Sequence, residues 1–477
     1  MVGPASCRTD YCWVSSLGVS GAGYRNVRDT DAHIVRRRTR RGEMTTMSGN
    51  DGPSVDDIGE RGWFTPAPRE AAPAPGTAAP HGGRPEDGAQ PDAAGRTDAV
   101  AHSDTELIRA TMAELEQTPD AAVAYFYALL FVQYPHLREL FPASMDTQRD
   151  RLFRALLNAV RLYDDGPRLT AFLAELGRGH RKYGTQAAHY PAIGECLMAT
   201  LAQYAPQSWG PRTEAAWVRA YTAISQIMID AAAEDSLHAP AWWQAEVVAH
   251  ERRTPDIAVI TVRTDQPYPF RAGQYTAVET PWWPRVWRNY SFASAPRPDG
   301  LLTFHVRAVP AGWVSTALVQ RARPGDVLRL GPPTGSMTVD HDAGSGLLCL
   351  GGGTGIAPIK ALVEDVARHG THRPVEVFYG ARRGEDLYDL DTLLGLARSH
   401  DWLAVRPVVA AGSATGDALT GRLPDAVRAH GPWSAWDGYL SGPPGMIKSG
   451  VRTLVGLGIP THRIRHDSLE ELVATGA

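Results

Sequence analysis

Cysteine is scarce, with Cys7, Cys12, Cys196 and Cys349 the only four thiols in 477 residues, and none of them forms a Cys-x-x-Cys pair. A structural zinc or a redox disulfide needs such spacing, so neither is expected; reduced thiols point to a cytoplasmic location. No apolar run reaches the roughly 18 residues that would span a bilayer, and the first residues lack the basic-then-apolar order of a secretory signal. A dominant charge sign is missing too, because 48 Lys and Arg face 52 Asp and Glu for a formal net charge of -4. Nucleic-acid binders usually carry a clustered basic excess, so no nucleic-acid partner is expected. No repeat of solenoid period occurs, and nothing specifies an oligomeric state.

What is present divides along the chain. One domain per roughly 150 residues suggests about three domains. Residues 1–100 hold the basic run Arg36 to Arg41 and then a stretch rich in Ala, Pro, Gly and Asp. Such a composition buries too little apolar surface to offset backbone entropy, so a disordered, solvated arm is expected, one that a start at Met44 or Met47 would shorten. From Asp104 to Asp235 apolar residues recur at helical spacing, as in Val123, Tyr127, Leu130, Phe131 and Tyr134. After Ala239-Pro240 come short β-type runs, Ala258 to Arg263 and Leu302 to Arg307, between Pro/Gly turns. Beyond Ser345, strand-like runs Leu347 to Leu350, Val375 to Tyr379 and Asp437 to Leu440 alternate with helical stretches. The expected fold class is multidomain: an all-α domain (101–238), an antiparallel β-barrel (242–342) and an α/β parallel-sheet domain (343–477).

Two glycine-rich turns and two polar motifs carry the chemistry of the second half. Gly351-Gly-Gly-Thr-Gly-Ile-Ala-Pro358 follows an apolar strand and opens a helix. Glycines let the backbone approach a pyrophosphate, and the helix N-terminus supplies free amides. Ser441-Gly-Pro-Pro-Gly-Met446 follows a later strand, where an open sheet places its ligand loops. Arg288-Asn289-Tyr290-Ser291 precedes Gly312-Trp313-Val314-Ser315 in the barrel region. An Arg can hold a flavin phosphate, a Tyr can stack on the flavin, and a Ser hydroxyl can reach its ring.

With these motifs the chain resembles the ferredoxin–NADP reductase superfamily. The resemblance implies FAD held by Arg288, Tyr290 and Ser291, with Gly312, Val314 and Ser315 near the pyrophosphate and Gln274 and Tyr275 on the flavin side. It implies a nicotinamide nucleotide against Gly353, Thr354, Gly355 and Pro358 on one side and Gly442, Pro443 and Met446 on the other. Arg382 and Arg383 suit an adenosine 2′-phosphate, because guanidinium binds phosphate bidentately, and equally suit a solvated turn. NADH and NADPH both stay open.

In the helical domain Leu169, Phe172, Leu173, Leu176 and His180 form one stripe that ends on an imidazole. Read alone, His180 is more often a packing histidine than an axial ligand, and Tyr127 also reads as a core tyrosine and Gln148 as a helix-start residue. The set of residues around them resembles the globin domain of flavohaemoglobins, which join a haem globin to this class of reductase. That resemblance implies haem b with His180 as the iron ligand. Tyr127 of the Phe126-Tyr127 pair and Gln148 then stand at the distal gas site, with Phe141 packed on the haem. Tyr190 and Glu234 would hydrogen-bond the His180 ring and raise its basicity. The competing histidines His102, His136, His189 and His238 read as surface residues.

A hydride donor delivers two electrons and haem accepts one at a time, so a flavin between them is the required converter. The resemblance implies a protein that oxidises nitric oxide with O2 to nitrate at the expense of NADH or NADPH. Some positions depart from the family pattern, in a manner similar to a divergent actinobacterial subgroup. Gly179 stands where a Lys often precedes the proximal His, Asp467 where a Glu meets it, Ser468-Leu469 where an aromatic covers the flavin, and Ser441 where a Cys is common. Two other functions stay open, a haem and flavin oxidoreductase acting on an organic acid or peroxide, and a haem-based oxygen or nitric oxide sensor.

Overall fold

The computed structural model describes residues 93–369, 373–411 and 418–466. Most of the expected arm therefore lies outside the described residues, as do Asp467, Ser468 and Leu469.

Six helices come first: α1 (Ala93–Leu115), α2 (Pro119–Gln133), α3 (Asp146–Arg161), α4 (Gly166–His180), α5 (Tyr190–Tyr204) and α6 (Pro211–Ser236). Helix α1 begins inside the segment expected to be disordered. Four of the six, α2, α4, α5 and α6, carry Pro in their first turn, where its missing N–H costs nothing and its fixed φ suits a helix. Asp165 caps α4 by accepting a bond from the Arg168 amide. Val123, Tyr127 and Leu130 are buried, as their spacing predicts, with Phe131 and Tyr134 packed at the rim of the same core. Helices α4 and α6 cross at Gly177, where an added Cβ would lie 2.3 Å from the Met228 carbonyl oxygen. Only glycine permits this approach.

The middle of the chain forms β1 (Trp243–Arg252), β2 (Ile257–Thr264), β3 (Tyr275–Thr280), β4 (Trp283–Ser291), β5 (Leu301–Arg307), helix α7 (Trp313–Gln320) and β6 (Val327–Thr334). The strands pair in the order β4-β3-β6-β1-β2-β5, every pair antiparallel. A bridge between Phe292 and Phe304 joins the two edges, which curls the sheet around a core of Val247, Ile260, Val278, Leu302, Phe304 and Leu330.

The last part is α/β: β7 (Leu347–Gly352), α8 (Ile356–Arg368), β8 (Val375–Ala381), α9 (Leu390–Ser399), β9 (Leu403–Val409), β10 (Leu419–Thr420), α10 (Leu423–Arg428), β11 (Asp437–Ser441), α11 (Pro444–Gly456) and β12 (Ile464–His466). The sheet is parallel throughout, ordered β10-β9-β8-β7-β11-β12. Strand β7 is buried along its whole length, as expected where helices cover both faces. The chain runs outward from β7 through β8 and β9, then returns to pair β11 on the other side of β7. That reversal opens a crevice at the carboxyl ends of β7 and β11, the usual ligand position in such sheets. Among the described residues no helix is long and apolar enough to cross a membrane.

Candidate functional site

The two glycine turns meet at this crevice. Gly353 to Gly355 make a single 3-10 turn between β7 and α8, with Gly353 at φ +56 in the left-handed region. An added Cβ on Gly355 would fall 2.3 Å from the Ser441 carbonyl oxygen, and one on Gly352 would meet Met446 at 3.0 Å and Pro443 at 3.2 Å. The expected nucleotide residues are thus brought together. Gly353, Thr354, Gly355, Gly442 and Pro443 form the lips, while Pro358 is buried in the first turn of α8 and Met446 packs behind Gly352. The Arg307 guanidinium lies against Gly353, 3.4 Å from where its Cβ would be, and pairs with Asp256 at 3.0 Å. The sequence presents Arg307 only as the end of a β run, so this cation on the glycine turn is legible only in three dimensions. Arg383 is exposed and engaged by Glu385 at 2.7 Å and Asp386 at 3.6 Å; Arg382 is exposed beside it.

The flavin motif occupies the end of β4, with Arg288 opposite Val278, Tyr290 opposite Thr276 and Ser291 opposite Tyr275. Burial pushes the Tyr290 hydroxyl well above its ordinary range. Burial first, and the Arg151 guanidinium second, lower the Arg288 pKa, so an anion that restores the charge balance is favoured there. Arg288 has no ion pair among the described residues, and its guanidinium donates to the Trp287 carbonyl at 2.8 Å. That donor set suits a phosphate. Ser315 and Gln274 are occupied internally. The Ser315 hydroxyl donates to the Gly312 carbonyl at 3.1 Å. Gln274 accepts from the Arg271 amide at 2.8 Å and donates to the Gly335 carbonyl at 3.3 Å. Val314 is buried and the Gly312 amide donates to the Val309 carbonyl at 2.9 Å, which leaves the amides of Trp313 to Ser315, in the first turn of α7, to be offered.

In the helical domain, α3 packs against both α2 and α4, and these three helices carry the expected gas-site residues. Tyr127 on α2 is buried and hydrogen-bonded to the Gln148 side chain on α3; burial raises its pKa and the Gln148 bond opposes that rise. Phe141 meets Tyr127 edge-on at 5.5 Å and Phe131 stacks on it at 5.8 Å. His180 ends α4. Burial, reinforced by the Lys182 ammonium, pushes its pKa down to about 4, so the ring is neutral at pH 7, the form that binds metal. Its Nδ1 is buried with no hydrogen-bond partner. A buried, unpaired imidazole nitrogen costs about 1–3 kcal/mol, and a neutral ring with a free lone pair fits haem iron.

Two expectations fail here. Neither Tyr190 nor Glu234 hydrogen-bonds His180 Nδ1, since that atom has no partner. Glu234 is exposed on α6, and it is the next residue, Asp235, that turns toward the end of α4 and pairs with Arg181. Successive helical residues point about 100° apart, so a one-residue error in phase exchanges the two acids. Tyr190 stands with its carbonyl accepting the Tyr221 hydroxyl at 2.7 Å, while burial alone pushes its own hydroxyl up to about 12. Of the competing histidines, His136 and His238 are exposed as expected. His189 is half-buried and accepts the Gln186 amide at 3.1 Å. The His102 side chain lies outside the described residues.

Two buried polar clusters, unforeseen from the sequence, join the domains. Between the helical domain and the barrel, the buried Lys182 ammonium lies over Tyr183 at 5.5 Å and Trp287 at 5.8 Å. Arg285 donates to the Glu139 carbonyl at 3.1 Å and the Tyr183 carbonyl at 3.2 Å. Its φ of +65 is held by these bonds and by the Glu279 carboxylate on its own amide. Trp287 on β4 thus packs against the helical domain, and Arg288, next along the strand, lies near enough to Arg151 and Tyr183 for their charges to act on it. Gly179 lacks the family lysine, yet Lys182 supplies a cation just past His180. Between the barrel and the α/β domain, His305 Nδ1 bonds the Tyr388 hydroxyl at 2.8 Å. The Lys360 ammonium approaches His305 Nε2 at 3.5 Å and Asp389 at 3.6 Å. Burial and the Lys360 charge hold His305 well below its ordinary pKa. The neutral ring therefore accepts from Lys360 and donates to Tyr388.

Comparison with known proteins matches this anatomy. Residues 124–228 match the globin family, 244–339 the oxidoreductase FAD-binding domain and 349–452 the oxidoreductase NAD-binding domain. The chain is thus a globin domain fused to FAD-binding and NAD-binding oxidoreductase domains, with haem, FAD and a nicotinamide nucleotide as its cofactors. The reductase component of the naphthalene 1,2-dioxygenase system of Pseudomonas putida, a ferredoxin–NAD(P)+ reductase, is 33% identical over 46% of this chain and 67% of its own length. A flavohaemoprotein of Bordetella pertussis is 28% identical over 75% of this chain and 95% of its own. A flavohaemoglobin of Malassezia yamatoensis, solved with FAD and haem bound, shares the fold with a TM-score of 0.62 at 20% identity, over 76% of this chain and 98% of its own. The chain is a flavohaemoprotein homologue whose reductase half belongs to the ferredoxin–NAD(P)+ reductase family.

Proposed function

We propose that this protein oxidises nitric oxide with O2 to nitrate, drawing electrons from NADH or NADPH through FAD to haem, and that it serves in the cytoplasm against nitrosative stress. The observation that carries the reading is the hydrogen-bonded pair of Tyr127 and Gln148, on two helices adjoining the one that ends in the neutral, unpaired His180. When bound, haem supplies the one-electron gas centre and FAD converts the hydride of the nicotinamide into single electrons.

The chain supplies the rest. His180 holds the iron through its free imidazole nitrogen. Tyr127, positioned by Gln148 and hemmed by Phe131 and Phe141, donates a proton in a hydrogen bond toward the gas, and the aromatic wall excludes water. Such preoriented donors stabilise developing negative charge without reorganising. Arg288 would take a FAD phosphate, Tyr290 and Ser291 would hold the ring, and the amides of Trp313 to Ser315, next to Gly312, would take the pyrophosphate. The lips of Gly353 to Gly355 and Gly442-Pro443 receive the nicotinamide nucleotide, with Arg307 beside its phosphates.

The test is consumption of nitric oxide at an electrode by the haem- and FAD-loaded protein in aerated buffer with NADH or NADPH. Nucleotide-dependent consumption that disappears in His180→Ala is expected. Consumption no faster than in the variant would refute the assignment.

A further inference from the structure

The loop that joins the barrel to the parallel sheet, between Thr334 and Leu347, carries His341. The last turn of α8 carries Asp365 and, at its C-cap, His369. Three side chains meet there. His341 Nε2 lies 2.8 Å from one Asp365 carboxylate oxygen, while His369 Nδ1 lies 3.6 Å from the other and donates to the Asp365 backbone carbonyl at 3.0 Å. The two imidazole rings stack with centroids 3.6 Å apart and planes 16° from parallel. One donor atom from each of the three residues falls within 4.8 Å of the other two. Asp365 and His369 are four apart on one helix and therefore share a face.

We infer that His341, Asp365 and His369 form a binding site for a divalent transition metal of the zinc class, separate from the haem and from the nucleotide crevice. Three features favour a cation over a simple Asp–His contact. The loop is anchored from beneath, because the buried Arg373 guanidinium donates to the carbonyls of Ala343 and, at 2.7 Å, Asp340; His341 is thus presented rather than free. The site sits on the C-terminal end of α8, where the helix dipole is negative. The neighbouring Arg368 guanidinium turns away to bond the Pro296 carbonyl and does not fill the role of counter-charge.

Two imidazoles and a carboxylate are nitrogen and oxygen donors that select zinc, nickel, cobalt or copper over magnesium or calcium. His369 is half-exposed, so water completes the coordination. Small rotations of the stacked rings bring both ring nitrogens onto one ion, which takes the place of the protons that His341 shares with the Asp365 carboxylate and His369 with the Asp365 carbonyl. The occupied site ties the interdomain loop to α8, the helix that opens at the nucleotide turn.

The experiment uses the full chain with haem and FAD, freed of adventitious metal by a chelator. Zinc binding is measured by equilibrium dialysis with the metal quantified by atomic emission, which the cofactor colours do not disturb. One saturable equivalent is expected in the wild-type. It should weaken roughly tenfold or more in His369→Ala and vanish in His341→Ala/His369→Ala, with Soret and flavin spectra retained in both. Zinc should also raise the thermal midpoint of the wild-type and leave that of the double variant in place. If His341→Ala disturbs folding, the His369→Ala comparison decides alone. Equal zinc binding in wild-type and His369→Ala, or no saturable equivalent in the wild-type, overturns the proposal.

Discussion

Replacing Tyr127 by Phe removes one hydroxyl from a buried ring whose packing against Phe131 and Phe141 remains. In the folded chain that hydroxyl bonds Gln148, and the loss of one such bond costs about 0.5–1.5 kcal/mol of stability. Gln148 is only half-buried, so water can replace its partner and the cost should fall at the low end. The effect on gas binding is larger, because a hydrogen bond to a group that develops charge is worth about 1.5–3 kcal/mol. At 1.36 kcal/mol per factor of ten, oxygen should leave Tyr127→Phe roughly 10- to 150-fold faster than the wild-type. Gln148→Leu alone should give a smaller acceleration, and the double variant less than the product of the two, since the residues act through a shared bond. The assay is oxygen dissociation from the reduced protein, followed at the Soret band in a stopped-flow instrument with a trapping ligand. Dissociation from Tyr127→Phe within twofold of wild-type would show that the hydroxyl does not face the gas.

Three further outcomes follow from the packing. Gly177→Ala should force α4 from α6 and lower stability by about 1–3 kcal/mol, seen in urea denaturation together with weaker haem retention. Asp389→Asn leaves the Lys360 ammonium buried without its carboxylate, a change expected to cost about 3–5 kcal/mol and to show as a lower thermal midpoint at pH 7. Burial pushes the Cys196 and Cys349 thiols up to about 11 and 12 from 9.0. The unfolded chain therefore releases these protons first, and stability should fall as pH rises from about 9 toward 12. At pH 8 both thiols should resist Ellman's reagent in a Cys7→Ser/Cys12→Ser background until the protein is unfolded.

The domain order was readable because each part announces itself locally. Helical spacing from Val123 to Leu130, β runs between turns, and glycine turns at strand ends are short-range signals, and the structure arranges them as they suggest. The meeting of Tyr127 with Gln148, and of Gly355 with Gly442, follows from motifs whose positions a shared fold dictates. What was illegible depends on tertiary phase and on contact between domains. Glu234 and Asp235 differ by one helical step, and nothing in the sequence tells which of them faces α4. Lys182 and Trp287 lie on opposite sides of a domain boundary, and so do His305 and Lys360; no periodicity in either segment encodes the other. Arg307 reads as a strand end until the fold sets it beside Gly353.

The most direct test of nitric oxide oxidation is the ratio of nitrate formed to nicotinamide nucleotide consumed, in air, with nitric oxide supplied to the haem- and FAD-loaded chain. A ratio near two is expected, because each two-electron donor serves two one-electron haem cycles. Rapid flavin reduction and nucleotide oxidation with no nitrate would contradict it and leave a globin-coupled reductase acting on another substrate.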